Sequence, residues 1–291
     1  MILGMATGLM GGIAFFPEIK APPIKAEPVL QVGSLVLTNS MLGAILAFVV
    51  TIVLVRVMTR TLVERPGKLQ TAVEYAIGGL YNFARGAGGS SGARLFPLFA
   101  GLFIWLLVNN WIPLIPGFGQ IVVRGPEGEF PLFRAANADF NNTLALALMV
   151  FFLIHISGVR AHGIAYFAEF INIPALLRGR VIDFVVGIFH TIGELAKIIS
   201  LSFRLFANIY GGEILLAVIV GLAGPVAVIF YGLEALVVAV IQALIFGLLA
   251  LIYISLVSEA PAHAGEHNEP ARAVQPGSAI DSKASPARPA S

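Results

Sequence analysis

The stretch from about Leu35 to Val57, built around MLGAILAFVVTIVLV, is mainly apolar and carries no charged residue before Arg56. At 1.5 Å per residue it is long enough to cross the ~30 Å hydrocarbon layer of a bilayer. Two more such runs follow, at about Leu95 to Pro116 and about Phe140 to Val159. Beyond them lie two longer helix-like stretches, about Val181 to Leu222 and about Pro225 to Val257, divided at Gly224-Pro225. The chain is 58% hydrophobic and 12% charged, with a mean hydropathy of +0.90, so lipid is its solvent. The pattern predicts an all-α integral membrane protein of about five to six helices. Each of the last two would be on the order of 50 Å long, which predicts a C-terminal hairpin that is strongly tilted, bent or partly outside the membrane.

Cysteine is absent, which excludes disulfides, thiolate metal sites and cysteine nucleophiles. Net charge is only +2, and the basic residues fall in short loops beside apolar runs, which argues against nucleic-acid binding. Arg56, Arg60, Arg65 and Lys68 follow the first span; Arg160, Arg178 and Arg180 follow the third. Both clusters place those ends in the cytoplasm by the positive-inside rule, with the segment before the first span outside. Trp111, Pro113 and Pro116 fit the interfacial exit of the second span. The Gly- and Pro-rich stretch Gly117 to Ala138, with both charge signs, reads as an extracytoplasmic loop and not a strand pair. GAGGSSG, Gly86 to Gly92, lacks the lysine of a phosphate loop and reads as a flexible turn.

Three regions follow from this pattern: an N-terminal extracytoplasmic or apolar segment 1–34, a membrane domain 35–257, and a cytoplasmic tail 258–291 whose Ala, Pro and Ser content predicts disorder. Met1 to Phe16 is short, Gly-rich and has no positively charged start, so it is a poor signal peptide. A short extra span, an interfacial segment and a signal-like anchor all stay open for it.

Chemistry concentrates in the C-terminal hairpin. His190, Glu194, Lys197, Ser200, Arg204, Asn208 and Glu213 stand on its first helix, Glu234 and Gln242 on its second. An ionisable group at membrane depth costs about 2.5 to 3.5 kcal/mol on insertion scales, so its default reading is functional. Glu194 and Lys197 read equally as a snorkelling pair near a helix end. At about 100° per residue, Lys197, Ser200, Arg204, Asn208 and Gly211 share one stripe, with His190 close to it. Glu213, nine residues from Arg204, falls on the opposite side. A guanidinium stays protonated, so Arg204 acts electrostatically, while the carboxyls of Glu213 and Glu234 can take up and release protons. Gln242 cannot titrate and is expected to orient Arg204 by a hydrogen bond across the hairpin. His155 and His162 have no partners at ligand spacing and read as structural. Asn109, Asn110, Asp139, Asn141 and Asn142 stand at the outer ends of spans two and three, where interfacial capping and a hydrated outer funnel are equally open readings.

KIISLSFRLFANIYGGE, Lys197 to Glu213, resembles the signature of subunit a of the F-type ATP synthase membrane sector around its essential arginine. VNNWIPLIPG from Val108, NADFNNTLALAL from Asn137 and IQALIFGLLALIYI from Ile241 support the resemblance, which covers the first clear span to Val257. It implies that Arg204 faces a rotor ring of c subunits, with Ser200 and Asn208 as polar neighbours and Gln242 as the glutamine of the last helix. Glu213 falls at the family's proton inlet. Glu234 stands eight residues before Gln242, where the family pattern has seven, and in a regular helix that offset turns a side chain by about 100°. Ile198 replaces a proline often found there. The implied function is that of a proton-translocating stator with two half-channels, without cofactor or metal and not itself an enzyme. Its implied partners are the c ring, the b subunit of the peripheral stalk, other synthase subunits and lipid, in a bacterial inner membrane. A secondary transporter binding an anion at Arg204 would need broken helices in repeats, and an intramembrane hydrolase would need an HExxH or Ser/His pairing; the sequence offers neither.

Overall fold

The computed structural model describes residues 23–33, 35–60, 67–115, 117–125, 128–170, 181–223 and 227–258. Met1 to Phe16, the Gly224-Pro225 break, Arg65, Arg178, Arg180 and the tail beyond Ser258 lie outside them. The chain divides into Met1–Glu259 and a C-terminal unit, Ala260–Ser291, none of which is among the described residues.

Six long helices appear among the described residues, in chain order: α1 Asn39–Thr59, α2 Lys68–Ala87, α3 Gly89–Trp111, α4 Phe140–His162, α5 Val181–Ala223 and α6 Ala227–Ser258. All but α2 are long and apolar enough to cross a membrane. This is an all-α membrane protein with five such spans among the described residues. α5, at 43 residues, would extend roughly 65 Å, twice the thickness of the hydrocarbon layer. With Ile198 in place of a proline, nothing interrupts its hydrogen-bond ladder.

The core lies between α3, α4, α5 and α6. Leu102, Phe103 and Leu106 of α3, Ala147, Val150 and Ile154 of α4, and Leu201 and Leu205 of α5 close around Ala243, Phe246, Ala250 and Ile254 of α6. Lipid tails are as apolar as these side chains, so close packing has to hold such helices together, and small residues permit it. α6 supplies them as Ala239, Ala243 and Gly247, four apart and facing inward. A Cβ on Gly247 would meet the Phe99 ring at 3.2 Å. α1 buries only Ala47 and its first turns against the bundle and exposes Ile45, Phe48, Val49, Ile52 and Val53 along one broad face.

Two small antiparallel hairpins stand outside the helices: β1 Pro28–Val32 with β2 Leu35–Thr38, and β3 Val122–Gly125 with β4 Gly128–Pro131. The first shortens the expected opening span, whose helix starts at Asn39 under a cap from Thr38, whose Oγ1 accepts from the Met41 amide at 3.3 Å. The second corrects the reading of Gly117 to Ala138 as loop alone. The mixed charges there are cross-strand partners, since Arg124 lies opposite Glu129 and donates to it at 2.8 Å. The glycines of Gly86 to Gly92 are likewise not a free turn. Gly89, at φ +54, breaks the chain between α2 and α3, and a Cβ on Gly92 would strike the Ala84 carbonyl, so two helix ends meet at backbone distance.

Candidate functional site

Two sides of α5 carry different chemistry. On one flank Gly193, Ala196, Ser200, Arg204, Ala207 and Gly211 are all exposed, together with Ile199 and Phe203. Arg204 is therefore not buried within the chain, as its apolar setting in the sequence suggests. It stands on an outward flank of small and apolar residues, and no hydrogen bond or ion pair from another described residue reaches its guanidinium.

The expected bond from Gln242 to Arg204 is replaced by another. Asn208 Nδ2 donates to Gln242 Oε1 at 2.5 Å, and Gln242 is 3% exposed with its Nε2 lacking a partner among the described residues. Asn208 is one helical turn from Arg204, so the glutamine holds the neighbour of the arginine and ties α6 to α5 at that level.

Glu213 faces away from Arg204, as its nine-residue spacing predicts. It lines a cavity of about 380 Å³ with Glu27, Asn39, Arg134, Leu216 and Tyr231. Arg134 is 6% exposed; its guanidinium donates to the carbonyls of Lys25 at 3.0 Å and Ala138 at 3.3 Å, with Nε unpartnered among the described residues. None of Asn109, Asn110, Asp139, Asn141 and Asn142 lines this cavity. Asp139 caps α4, accepting from the Asn141 amide at 3.0 Å, and also accepts from Ser40 Oγ at 2.6 Å. Asn142 donates to Asn137 and Asn137 to Asn110, at 3.0 and 2.9 Å. Sequence reasoning missed Arg134, Tyr231, Glu27 and Asn39. Arg134 and Glu27 were the only signals, as charges beside apolar spans.

Glu234 resolves the spacing problem. Residues Glu234–Val238 form a π-turn within α6, in which the Ala239 amide donates to the Glu234 carbonyl, five residues back. Such a turn takes one residue more than an α-helical turn. Two turns that would hold seven residues, about 700°, thus hold eight, and Glu234 returns to the face of Gln242. The contacts agree. Gln242 meets Asn208, and the Glu234 carboxylate lies against Gly212, four residues further along α5, where an added Cβ would sit 2.5 Å from Oε1.

The other polar residues gather at the opposite end of the hairpin. Lys197 pairs with Glu194, which is 5% exposed, and lies 4.9 Å above the Tyr253 ring. His190 Nε2 is 3.8 Å from Glu194 Oε1, and its ring packs on Phe170. His155 and His162 each place a ring nitrogen against a backbone carbonyl, of Phe151 at 3.0 Å and of Val257 at 2.9 Å. These bonds suit the structural role read from their sequence isolation.

Among the described residues, five membrane-length helices, with an exposed cation on one flank of the longest and a carboxyl-lined cavity behind it, define a multi-pass membrane protein. The family model described as ATP synthase A chain matches residues 40–255, and the chain belongs to that family. ATP synthase subunit a of Geotalea daltonii is 37% identical over 196 residues, covering 67% of this chain and 77% of that protein. ATP synthase subunit a 1 of Syntrophotalea carbinolica is 37% identical over 198 residues, 68% and 76% of the two chains. ATP synthase subunit a of Geotalea uraniireducens is 36% identical over 203 residues, 70% and 80%.

Proposed function

We propose that this chain is the proton-translocating stator of a rotary ATP synthase in a bacterial membrane, with Arg204 as the fixed cation past which the carboxylates of a c-subunit ring move. The observation that carries this reading is the outward flank of α5. An arginine with no partner in its own chain, among the described residues, is set there between Ser200, Ala207 and Gly211, which let a second helix approach closely. A cation on an apolar surface is costly unless a counter-charge meets it. A ring carboxylate arriving there is favoured in its ionised form and gives up its proton.

Glu213 and its cavity form the inlet half-channel, and Glu234, against Gly212, lies on the route from that cavity toward the Asn208–Gln242 level. Ser200 and Asn208 flank the arginine. His190, with Glu194 and Lys197, belongs to the opposite half-channel. Asn110, Asp139 and Asn141 brace the outer end of the bundle by the bonds described above. The first helix runs from the extracytoplasmic side inward, as its basic trailing residues require, and α6 ends in the cytoplasm. Residues 35–257 are the membrane domain; the exposed apolar face of α1 is available to the b subunit as well as to lipid.

A proton crossing 100 mV releases about 2.3 kcal/mol. Arg204 makes that energy available to rotation by preventing direct passage between the half-channels. ATP is made by other subunits, and this chain performs no covalent step. Arg204→Ala should abolish ATP-driven proton pumping into inverted vesicles; normal pumping by an assembled Arg204→Ala complex would overturn the proposal.

A further inference from the structure

A π-turn lies one residue out of step with the ladder around it, and persists where side chains satisfy the backbone groups it displaces. α3 supplies two donors here, one to a carbonyl within the turn and one to the first carbonyl after it. The Trp111 indole N–H donates to the carbonyl of Ala235, inside the turn, at 2.8 Å. Asn110 Nδ2 donates to the carbonyl of Ala239, immediately after it, at 3.3 Å. Asn110 is 4% exposed and is itself held from its other end, where its Oδ1 accepts from Asn137 Nδ2. Two adjacent residues at the end of one helix thus grip another at both ends of its irregular turn.

We propose that Trp111 and Asn110 are positioning residues that hold the Glu234–Val238 turn open, and that this turn sets the register placing Glu234 against Gly212 while Gln242 meets Asn208. In an unbroken α-helix eight residues rotate by about 800°, which would carry Glu234 some 80° away from the face occupied by Gln242. The turn removes that rotation. Deleting one residue inside it closes the turn to seven residues and about 700°, leaving both side chains facing α5. A deletion in a buried membrane helix is therefore tolerated here, whereas an insertion is not. The role of Glu234 in proton transfer rests on the function proposed above; the register does not.

The chain has no cysteine, so paired substitutions report register cleanly. Asn208→Cys/Gln242→Cys and Gly212→Cys/Glu234→Cys pairs are joined with a short bifunctional thiol reagent in membranes, in three backgrounds: the native turn, deletion of Val237, and insertion of Ala after Val237. Pumping is measured in the same three backgrounds without the cysteines. Both pairs should join in the native and deletion backgrounds, and the 212/234 pair should fail with the insertion, whose pumping falls at least tenfold. Trp111→Phe, which keeps the ring and removes the donor, should lower pumping severalfold, and deletion of Val237 should restore it. A purely structural tryptophan would not be rescued in this way. If the deletion loses the 212/234 pair in protein that accumulates normally, or fails to rescue Trp111→Phe, the proposal is overturned. If every crosslink behaves as expected but pumping is the same in all backgrounds, the register stands and the role of Glu234 in translocation falls.

Discussion

Gly212 is a point of close approach between the two helices that carry the site. A Cβ there would stand 2.5 Å from Glu234 Oε1 and 2.9 Å from Cδ, where ordinary contact begins at 3.4 Å, so Gly212→Ala requires the carboxylate to withdraw by about 1 Å. The obstacle is the far end of a flexible side chain, so the fold absorbs the change. Proton transfer does not, because a displacement of ~1 Å at a reacting group can lower a rate by about 10²-fold. Gly212→Ala should therefore assemble normally and lower ATP-driven acidification of inverted vesicles between tenfold and a hundredfold, and Gly212→Val should lower it further. Gly232→Ala, on the neighbouring helix with open space around it, is the control and should pump normally. Shortening the opposing side chain by one methylene in Gly212→Ala/Glu234→Asp should recover much of the loss. Wild-type pumping by an assembled Gly212→Val complex would refute the reasoning, because a carboxylate on the proton path could not then be held at this contact.

Lys197→Met leaves the buried Glu194 without its counter-charge and should lower thermal stability in detergent by about 3 kcal/mol, the low end for breaking a buried pair, since the Lys197 side chain is 34% exposed. Adding Glu194→Gln should recover most of that, and no recovery would show that the pair is not what holds this end of the hairpin. Glu213→Gln should slow proton intake from the cavity it lines, read as reduced pumping at every external pH with complex assembly unchanged. An unchanged rate removes Glu213 from the path.

The spans were legible because length and apolarity alone decide whether a helix crosses a bilayer; of the two readings open for Asp139, capping is the one its side chain makes, to the amide two residues on. The phase of Arg204 against Glu213 was legible too, since α5 is regular over that interval and the rotation per residue is constant. The same rule misleads on α6. Eight residues imply an 80° mismatch between Glu234 and Gln242 only if the helix is regular, and the groups that make it irregular, Trp111 and Asn110, are more than a hundred residues away in the chain. The partner of Gln242 was missed for a related reason. Arg204 is the more conspicuous polar group, but it faces outward, leaving the shorter Asn208 to reach across the hairpin. α2 was not read from the sequence because it is amphipathic rather than apolar throughout, and the second strand pair because Arg124 and Glu129 look like loop charges until they are placed opposite each other.

In the proposed stator the flank of α5 bearing Arg204 faces the rotor. A cysteine at Ala207, exposed on that flank beside the arginine, tests it most directly in the intact complex, paired with a cysteine in the middle of the outer helix of the c subunit. Oxidation should join the two chains, and a cysteine at Ile52 on α1 should not join to the ring. Failure at Ala207 with efficient joining at Ile52 would place the ring on a different face of the bundle and contradict the account.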